Sequence, residues 1–290
     1  MKVHVPATTA NVGCGFDCVG IALDWYDEVE LTLGGDGLRI DVEGEGAQSV
    51  PRDDRHLVVA SIRRGLEEWG DGVLPAMHLR CHNTIPHARG LGSSAAAIVA
   101  GLALAWGIAR DDAPSLAELA RVSSLMEGHA DNAAAAVYGG ATLGWIEGDR
   151  VDVQSLSTHA DLSTKVWVPE FEVPTRTARA VLPDTVSRAD AVNQAAHAAT
   201  LILALERRPD LLLRATRDRL HEPYRADLMK PSFSLIGALR DLGVPAVISG
   251  AGPTVFAIGT PDDFALDFQV DKSGFGELQL GIGQGVRLER

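Results

Sequence analysis

A glycine-rich segment that leads directly into an alanine-rich run constrains this chain more than any other feature. The segment spans residues 83–97 and reads NTIPHARGLGSSAAA. Pro86 predicts an extended approach, and Gly90 and Gly92 allow positive φ with no side chain over the turn. The alanine run predicts a helix whose first backbone N–H groups lie exposed at the positive end of the helix dipole. Such a turn is typical of an anion site, and it suits phosphate best.

The segment is not a P-loop, because Gly-x-x-x-x-Gly-Lys-Ser/Thr occurs nowhere in the sequence. The first predicted turn of the helix contains no lysine, and Ser93 could be its cap. The charge of a phosphate group would therefore have to be met by backbone dipoles, by Arg89 at most, and by a metal ion.

Size and charge exclude several classes of partner. The 290 residues suffice for one large or two medium domains. The net charge is −13, and the sequence contains no run of Lys or Arg. This balance argues against nucleic acid and anionic membranes as partners, but it does not argue against a small anionic ligand.

The cysteines indicate a reducing environment. Cys14, Cys18 and Cys81 are too few and odd in number for a disulfide framework, so we expect a cytoplasmic location. Cys14 and Cys18 could form half of a metal site, but they are more simply two small apolar residues beside a turn. The N-terminus has no apolar signal-peptide core. Residues 91–109 are uncharged and long enough to span a bilayer, yet their Ala and Gly content favours a helix buried in a globular core.

Strands mixed with helices predict an α+β fold. Strands are expected at 3–5, 28–33, 38–42, 76–81, 141–147, 165–168, 246–249 and 255–258, and helices at 57–69, 94–109, 116–126, 130–138, 176–181, 191–206, 211–219 and 233–242. Residues 7–20 are expected as a loop, and the turn 34–37 as a hairpin that pairs the strands on either side. The polar stretch 149–164 predicts a soft boundary between domains 1–155 and 156–290. Residues 264–270 could be helix or strand.

Residues 86–96, the glycine loop, resemble the phosphate-binding motif of the GHMP small-molecule kinases, Pro-x-x-x-Gly-Leu-Gly-Ser-Ser-Ala. The chain is similar to that family in two further segments, the N-terminal motif PATTANVGCGFD at 6–17 and the C-terminal motif SGAGPTVF at 249–256. The resemblance covers nearly the whole chain and is weakest after Thr260. It implies a GHMP kinase fold with an N-terminal ribosomal-protein-like α/β domain, a C-terminal ferredoxin-like α+β domain, and Mg²⁺ as cofactor. It also implies the ATP-binding residues Pro86, His87, Ala88, Arg89, Gly90, Leu91, Gly92, Ser93, Ser94, Ala95 and Ala96.

The N-terminal motif also narrows the substrate. Ala-Asn followed by Gly-Phe-Asp resembles the branch of the family that phosphorylates homoserine, as do EGHADN at 127–132, TRTARAVLP at 175–183 and EPYR at 222–225. Ala130 stands where related sequences often have proline, and neither residue has a reacting side chain. The resemblance implies transfer of the γ-phosphoryl group of ATP to the hydroxyl of L-homoserine, on the route to threonine. A homodimer is no more than the family suggests.

Two alternatives remain for the activity. A kinase of the same family that acts on another small alcohol would not need two arginines placed for a carboxylate. A non-catalytic ligand-binding paralogue would be supported by loss of the metal ligand or of the phosphate loop, and both are present.

A homoserine site needs partners for a carboxylate, an ammonium group and a hydroxyl. Arg179 and Arg225 could each bind the carboxylate in a bidentate ion pair through the planar guanidinium group. The resemblance implies that Asp17 and His129 hold the ammonium group, with Asn132 supporting the pocket. Each has a structural alternative: the arginines could be ordinary solvated residues, Asp17 a turn former, and His129 a structural histidine.

The reacting end is likewise implied by the resemblance. The residues at the hydroxyl would be Asn11, Asp131 and Thr175, and Asn11 would also bind the substrate. The protein ligands of Mg²⁺ would be Ser94 and Glu127. We expect Asn11 and Asp131 to orient the hydroxyl, with its proton leaving late to a phosphate oxygen, but Asp131 as a base stays open. Asn11 could instead be a turn former, Asp131 a helix N-cap, and Glu127 a solvent-facing residue.

Overall fold

Two β-sheets with helices packed on them form the fold of the computed structural model, which describes residues 1–265 and 270–290. The strands are β1 (Lys2–Asn11), β2 (Gly15–Leu33), β3 (Leu38–Gly44), β4 (Met77–Asn83), β5 (Ala141–Glu147), β6 (Arg150–Leu156), β7 (Ser163–Pro169), β8 (Ala246–Ile248), β9 (Val255–Gly259), β10 (Phe275–Leu280) and β11 (Arg287–Glu289). The helices are α1 (Leu57–Trp69), α2 (Ser93–Ala109), α3 (Leu116–Glu127), α4 (Asp131–Tyr138), α5 (Thr175–Ala180), α6 (Arg188–Glu206), α7 (Leu212–Ala215), α8 (Glu222–Arg225), α9 (Lys230–Asp241) and α10 (Pro261–Phe264).

The larger sheet is built around the 19-residue strand β2. Strands β1 and β4 pair with β2 in antiparallel orientation, β3 pairs with β4 in parallel, and the order is β11-β1-β2-β4-β3. The N-terminal part of β2 also pairs with β5, which in turn pairs with β6. Because β11 pairs with β1, the end of the chain returns to the sheet in which the chain begins.

Helix α2 lies in the core that covers the larger sheet, where it contacts α1, α3, α4 and β1. Most of its residues from Ala95 to Trp106 are buried, which explains why this stretch carries no charge. The expectation of a buried helix is therefore confirmed. Within the described residues, no helix combines the length and the apolar character that crossing a bilayer requires.

The smaller sheet has the order β10-β7-β9-β8, with each neighbour antiparallel. Helix α9 packs on β8 and β9. Trp167, Leu239 and Ile248 are buried together in a small core of their own. The C-terminal motif forms the connection between β8 and β9, so this sheet presents the motif to the cavity described below.

The expected hairpin between β2 and β3 is wrong. Leu33 of β2 and Leu38 of β3 both pair with Met77, so β4 lies between the two strands. The glycines of the connection adopt φ values of 107°, 93° and 137° at Gly34, Gly35 and Gly37, which makes a wide turn and leaves room for a strand. Alternating patterns show that two segments are strands but not which strand lies beside which.

Other stretches also differ from expectation. Residues 7–20 lie mostly in β1 and β2, and the run from Val5 to Asn11 is buried throughout, so it lacks the alternation typical of half-buried strands. The polar stretch near 150–156 forms β6. The helix expected at 211–219 ends at Ala215, and Asp218 then accepts hydrogen bonds from the main chain of residues 220–222. Within the expected element 264–270, residues 266–269 lie outside the described residues.

Candidate active site

A single cavity of about 570 Å³ gathers the residues that the sequence motifs single out. Its wall is formed by the N-terminal motif, the glycine loop, the start of α4, the helix α5 and the C-terminal motif. Every residue predicted for the substrate, the reacting group or the metal lies in this wall: Asn11, Asp17, Ser94, Glu127, His129, Asp131, Asn132, Thr175, Arg179 and Arg225. All eleven residues of the glycine loop line it as well.

The glycine loop ends in an uncapped helix N-terminus. Gly92 is the N-cap of α2 with φ 71° and ψ 19°, and no side chain caps the helix. The interpretation of Ser93 as the cap is therefore wrong, because Ser93 is already the first helical residue. A Cβ atom at Gly92 would overlap Thr8 Oγ1, and one at Gly90, where φ is 74°, would overlap the carbonyl oxygen of Ser249. The first N–H groups of α2 thus lie at the cavity without a side-chain partner.

Hydrogen bonds from distant segments hold the glycine loop in place. The hydroxyl of Ser249 donates to the carbonyl oxygen of Gly90 at 2.6 Å, and the N–H of Thr254 donates to that of Arg89 at 3.2 Å. The N–H of Thr8 donates to the carbonyl oxygen of Leu91 at 3.0 Å. The three sequence motifs are thus in direct contact, which fixes the geometry of the phosphate end.

Arg89 was expected to contribute at most part of the positive charge at the phosphate, but its contacts in the structure are to other groups. Its Nε and Nη2 donate to the carbonyl oxygens of Pro169 and Glu170 at 2.9 and 2.6 Å. Its Nη1 donates to the carbonyl oxygen of His87 at 3.1 Å and pairs with Glu172 at 2.9 Å. The guanidinium group therefore joins the glycine loop to the end of β7, and its charge is already paired.

Ser94 and Glu127 form the oxygen pair expected for a metal ion. Ser94 Oγ donates to Glu127 Oε1 at 2.7 Å, and the Glu127 side chain is only 9% exposed. The interpretation of Glu127 as a solvent-facing residue is therefore wrong. In the described part of the chain, no group of three or more His, Cys, Asp or Glu could hold a metal by itself. One hydroxyl and one carboxylate nevertheless fit Mg²⁺, which takes hard oxygen ligands and completes its shell with phosphates and water.

Asp131 is buried at the start of α4 and accepts several hydrogen bonds. His129 Nδ1 donates to Asp131 Oδ1 at 2.6 Å, and the N–H of Asn132 donates to the same oxygen at 2.7 Å. Burial alone would lower the pKa of His129, but the hydrogen bond to Asp131 and the charges of Asp131 and Glu127 outweigh it, so the pKa is raised. Asn132 is fixed in turn, because its Oδ1 accepts from Thr8 Oγ1 at 2.7 Å.

Asn11 ties the N-terminal motif to the C-terminal motif. Its Nδ2 donates to the carbonyl oxygen of Gly250 at 2.8 Å, and its Oδ1 accepts from the N–H of Asp17 at 3.0 Å. Asn11 and Asp17 both adopt positive φ, at 69° and 56°. The amide of Asn11 thus has the contacts of a turn former, and its role towards a substrate hydroxyl stays a prediction. Thr175 opens α5 and is exposed at the cavity.

The two arginines of the expected carboxylate site differ in environment. Arg225 is 1% exposed and donates to the carbonyl oxygens of Ala178 and Gly250 at 3.1 and 3.0 Å. Burial lowers the pKa of Arg225 to about 10, which still leaves the group charged at neutral pH. Arg179 is half-exposed and makes a two-point ion pair with Asp17. Neither arginine is an ordinary solvated surface residue.

Phe16 lies against both arginines and His221 contacts Arg225, and neither residue is among those predicted from the sequence. The Phe16 ring centroid lies 5.9 Å from the Arg179 guanidinium carbon and 5.6 Å from that of Arg225, and the ring stacks on His221 at 5.1 Å. His221 Nε2 donates to the carbonyl oxygen of Gly13 at 2.8 Å, while its Nδ1 accepts from Arg225 at 3.1 Å. Phe16 stands inside the Gly-Phe-Asp sequence of the N-terminal motif, which was the available signal. Nothing in the sequence marks His221.

The remaining wall of the cavity is largely apolar. It is formed by the start of α1, the first turns of α2 and the preceding loops, with Val50, Pro51, Leu57, Val58, Ala97 and Ala100 as its apolar residues. His56 also lies there. Burial lowers its pKa, and its Nδ1 is buried without a hydrogen-bond partner. A ring-shaped apolar ligand with polar edges fits such a wall.

The fold and the cavity together define a class of protein. Residues 56–140 match the family model for the GHMP kinases N terminal domain, and residues 199–267 match the model for the GHMP kinases C terminal. The chain therefore belongs to the GHMP kinase family. The fold expected from the sequence motifs is confirmed.

Relatives that match over nearly the full length define a narrower group than the two family models do. The chain is 49% identical to the homoserine kinase of Cutibacterium acnes, covering 99% of this chain and 98% of that protein. It is 46% identical to the homoserine kinase of Streptomyces coelicolor, covering 90% and 85%. The crystal structure of homoserine kinase from Cytophaga hutchinsonii matches with a TM-score of 0.84 at 31% identity, covering 99% and 96%. A phosphomevalonate kinase of Streptococcus pneumoniae matches with a TM-score of 0.74 at 16% identity, covering 97% and 99%, which shows a common fold alone.

Proposed function

We propose that this chain is a homoserine kinase, which transfers the γ-phosphoryl group of ATP to the hydroxyl of L-homoserine and so forms O-phospho-L-homoserine for threonine biosynthesis. The observation that carries this proposal is one cavity that places an uncapped helix N-terminus beside two charged arginines. The helix suits the phosphates of ATP, and the arginines suit the carboxylate of an amino acid. The full-length homoserine kinase relatives support the same substrate.

Substrate binding is divided among three groups of residues. Arg225 and Arg179 hold the carboxylate, with Arg225 fixed by its buried hydrogen bonds. Asp17 and His129 hold the ammonium group, His129 in its neutral form, in which Nδ1 donates to Asp131 and Nε2 accepts. Asn132, held by Thr8, supports the pocket between them and the phosphate end. Positioning of this kind supplies much of the rate in phosphoryl transfer, because the reaction needs little covalent help from the protein.

Asp131, Asn11 and Thr175 would act at the reacting hydroxyl. The short contacts of Asp131 to His129 Nδ1 and to the N–H of Asn132 both use Oδ1, so Oδ2 can accept the hydrogen bond of the substrate hydroxyl. A carboxylate fixed in this way orients the hydroxyl towards the γ-phosphate, and the proton leaves late to a phosphate oxygen. Asp131→Asn keeps the shape of the side chain and tests whether its charge is needed.

Ser94 and Glu127 would hold Mg²⁺, which neutralises charge on the phosphates of ATP when it is bound. Their hydroxyl and carboxylate are already within hydrogen-bond distance, so little rearrangement is needed to bring two oxygen ligands together. The apolar wall near His56 would take the adenine base.

The domain boundary, the location and the assembly also remain proposals. A boundary near residue 155 is supported by the end of β6 at Leu156 and the start of the second sheet at Ser163, but the last residues of the chain lie with the first sheet, because β11 pairs with β1. A cytoplasmic location agrees with the unpaired thiols of Cys14, Cys18 and Cys81. The homodimer suggested by the family can be tested by light scattering on the purified chain.

An ADP-release assay over homoserine, serine, threonine, mevalonate and galactose tests the proposed activity, with ³¹P NMR to identify the product. Homoserine should be the preferred acceptor by a wide margin. Turnover with another alcohol in preference, or ADP release that no acceptor stimulates, would refute the proposal.

Arg179→Leu tests the carboxylate site, with Arg176→Leu on the same short helix as the matched control. Loss of one charged hydrogen-bonding partner should raise the KM for homoserine by roughly 10- to 100-fold and leave the Kd for ATP near the wild-type value. Arg176 is exposed and does not line the cavity, so its loss should change neither constant. An equal loss of ATP binding in Arg179→Leu would contradict the assignment.

A further inference from the structure

The residues expected to hold the two charges of the substrate are bound to each other. Arg179 Nη2 lies 2.7 Å from Asp17 Oδ1, and Arg179 Nη1 lies 3.1 Å from Asp17 Oδ2. Both side chains line the cavity, and they are 37% and 33% exposed. The carboxylate of Asp17 thus occupies the same guanidinium edge that a substrate carboxylate would use.

The main chain of Asp17 is held in place. Its N–H is held by Asn11 Oδ1 at 3.0 Å, and its backbone lies in the left-handed region. The neighbouring Arg225 is also fixed, because it is buried and donates to two carbonyl oxygens and to His221. Arg179 stands on the six-residue helix α5 with a half-exposed side chain, so it is the group that can turn between partners.

We propose that the Asp17–Arg179 pair is a charge lock that selects zwitterionic substrates; this inference rests on the proposed function. The incoming carboxylate replaces Asp17 on Arg179, and the incoming ammonium group replaces Arg179 on Asp17. One ion pair is broken and two are formed. A zwitterion thus leaves neither protein charge without a partner.

A ligand with only one charge cannot complete this exchange. A carboxylate without an ammonium group would free Asp17 and place a second negative charge beside it. An ammonium group without a carboxylate would free Arg179 next to Arg225. In both cases a partly desolvated charge loses its partner, which costs more than the missing contact alone. The lock therefore rejects single-charge alcohols actively, whereas independent subsites would merely bind them more weakly.

The test uses binding of L-homoserine, 4-hydroxybutyrate and 3-amino-1-propanol, measured by calorimetry on the full chain. These analogues lack the ammonium group and the carboxylate, respectively. Asp17→Asn should bind homoserine more weakly but 4-hydroxybutyrate at least 10-fold more tightly than wild type, because Arg179 is then free. Arg179→Leu should bind 3-amino-1-propanol at least 10-fold more tightly, because Asp17 is then free.

Asp27→Asn is the matched control, since Asp27 is a carboxylate of the same cavity that has no part in the proposed substrate site and accepts from the N–H groups of Thr84 and Ile85. It should improve 4-hydroxybutyrate binding by less than threefold. Equal gains in Asp17→Asn and Asp27→Asn would mean a general field effect and would overturn the lock, as would unchanged analogue binding in both lock variants. The two variants remove opposite members of the pair, so either one tests the lock if the other fails to fold. Absence of homoserine phosphorylation by the wild type would instead refute the proposed function.

Discussion

Gly92→Ala should damage both folding and ATP binding, because two separate costs meet at this residue. An L-residue with φ near 71° and ψ near 19° costs about 1–2 kcal/mol relative to glycine. The added Cβ would also overlap Thr8 Oγ1, which donates to Asn132 Oδ1 at 2.7 Å. Thr8 is fully buried and has to move, so that hydrogen bond is lost at a further cost of about 1 kcal/mol. Together these costs predict a loss of roughly 2–3 kcal/mol in the free energy of unfolding.

Urea unfolding separates the two costs when suitable variants are compared. Gly148→Ala, in the turn between β5 and β6, has φ 62° and open space around the new Cβ, so it should show the conformational cost alone. Thr8→Ala removes the atom that a side chain at position 92 would meet. The double variant Thr8→Ala/Gly92→Ala should then be about 1 kcal/mol more stable than the sum of the single effects predicts, because both single changes lose the same hydrogen bond.

ATP affinity gives the functional result of the same change. A shift at Gly92 displaces the first N–H groups of α2, so the Kd for ATP measured by calorimetry should rise at least 10-fold in Gly92→Ala and stay unchanged in Gly148→Ala. The reasoning is refuted if Gly92→Ala is no less stable than Gly148→Ala, if the effects at Thr8 and Gly92 are strictly additive, or if ATP binding is unaffected.

Four further substitutions test other parts of the structure. Burial raises the pKa of Glu222 to about 7 in the folded protein. The protonated carboxyl therefore makes its full contribution to stability below about pH 4.5, and this contribution is lost as the pH rises through 7. Relative to Glu222→Gln, the wild type should therefore lose up to roughly 3 kcal/mol across that window in urea titrations, and a constant difference would contradict the assignment. Arg89→Lys keeps the charge but loses the planar group that binds three carbonyl oxygens. The free energy of unfolding should therefore fall by about 1–2 kcal/mol, while the Kd for ATP changes less than threefold. A large loss of ATP binding with unchanged stability would instead mean that Arg89 binds the phosphates. Ser94→Ala and Glu127→Gln should each shift the Mg²⁺ titration of activity to higher concentration, and an unchanged titration would remove that residue from the metal site.

The sequence predicts which residues share the cavity better than it predicts the order of the strands, and the reason is physical. The glycine loop acts through its main chain, and the requirement for glycine at positions 90 and 92 is visible in the residue types themselves. Strand neighbours are a different matter, because β2 and β3 show similar alternation whether or not β4 lies between them. The buried run of β1 shows no alternation at all, so it resembles a loop in a sequence with several glycines.

Contacts between distant side chains are the part that sequence reasoning cannot supply. Asp17 and Arg179 stand 162 residues apart, and the motifs predict each as a substrate residue without any sign that they touch. His221 illustrates the same limit, because a neutral histidine that orients Arg225 has no distinguishing neighbours in the sequence. The environment of such a group depends on how α5, α8 and the N-terminal motif approach one another.

Backbone strain in the described residues is concentrated around this cavity. The non-glycine residues with positive φ are Asn11, Val12, Asp17 and Ala88, with values of 69°, 44°, 56° and 53°. Each such conformation costs on the order of 1–3 kcal/mol, so it persists only where surrounding contacts hold it. Asn11 binds Gly250 of the C-terminal motif and Asp17 of its own motif, and the carbonyl oxygen of Ala88 in the glycine loop accepts from the N–H of Val173 at 3.3 Å. Folding of the two sheets therefore supplies the energy that holds the anion site ready before any ligand arrives, and a change that relaxes one motif should weaken binding at the other two.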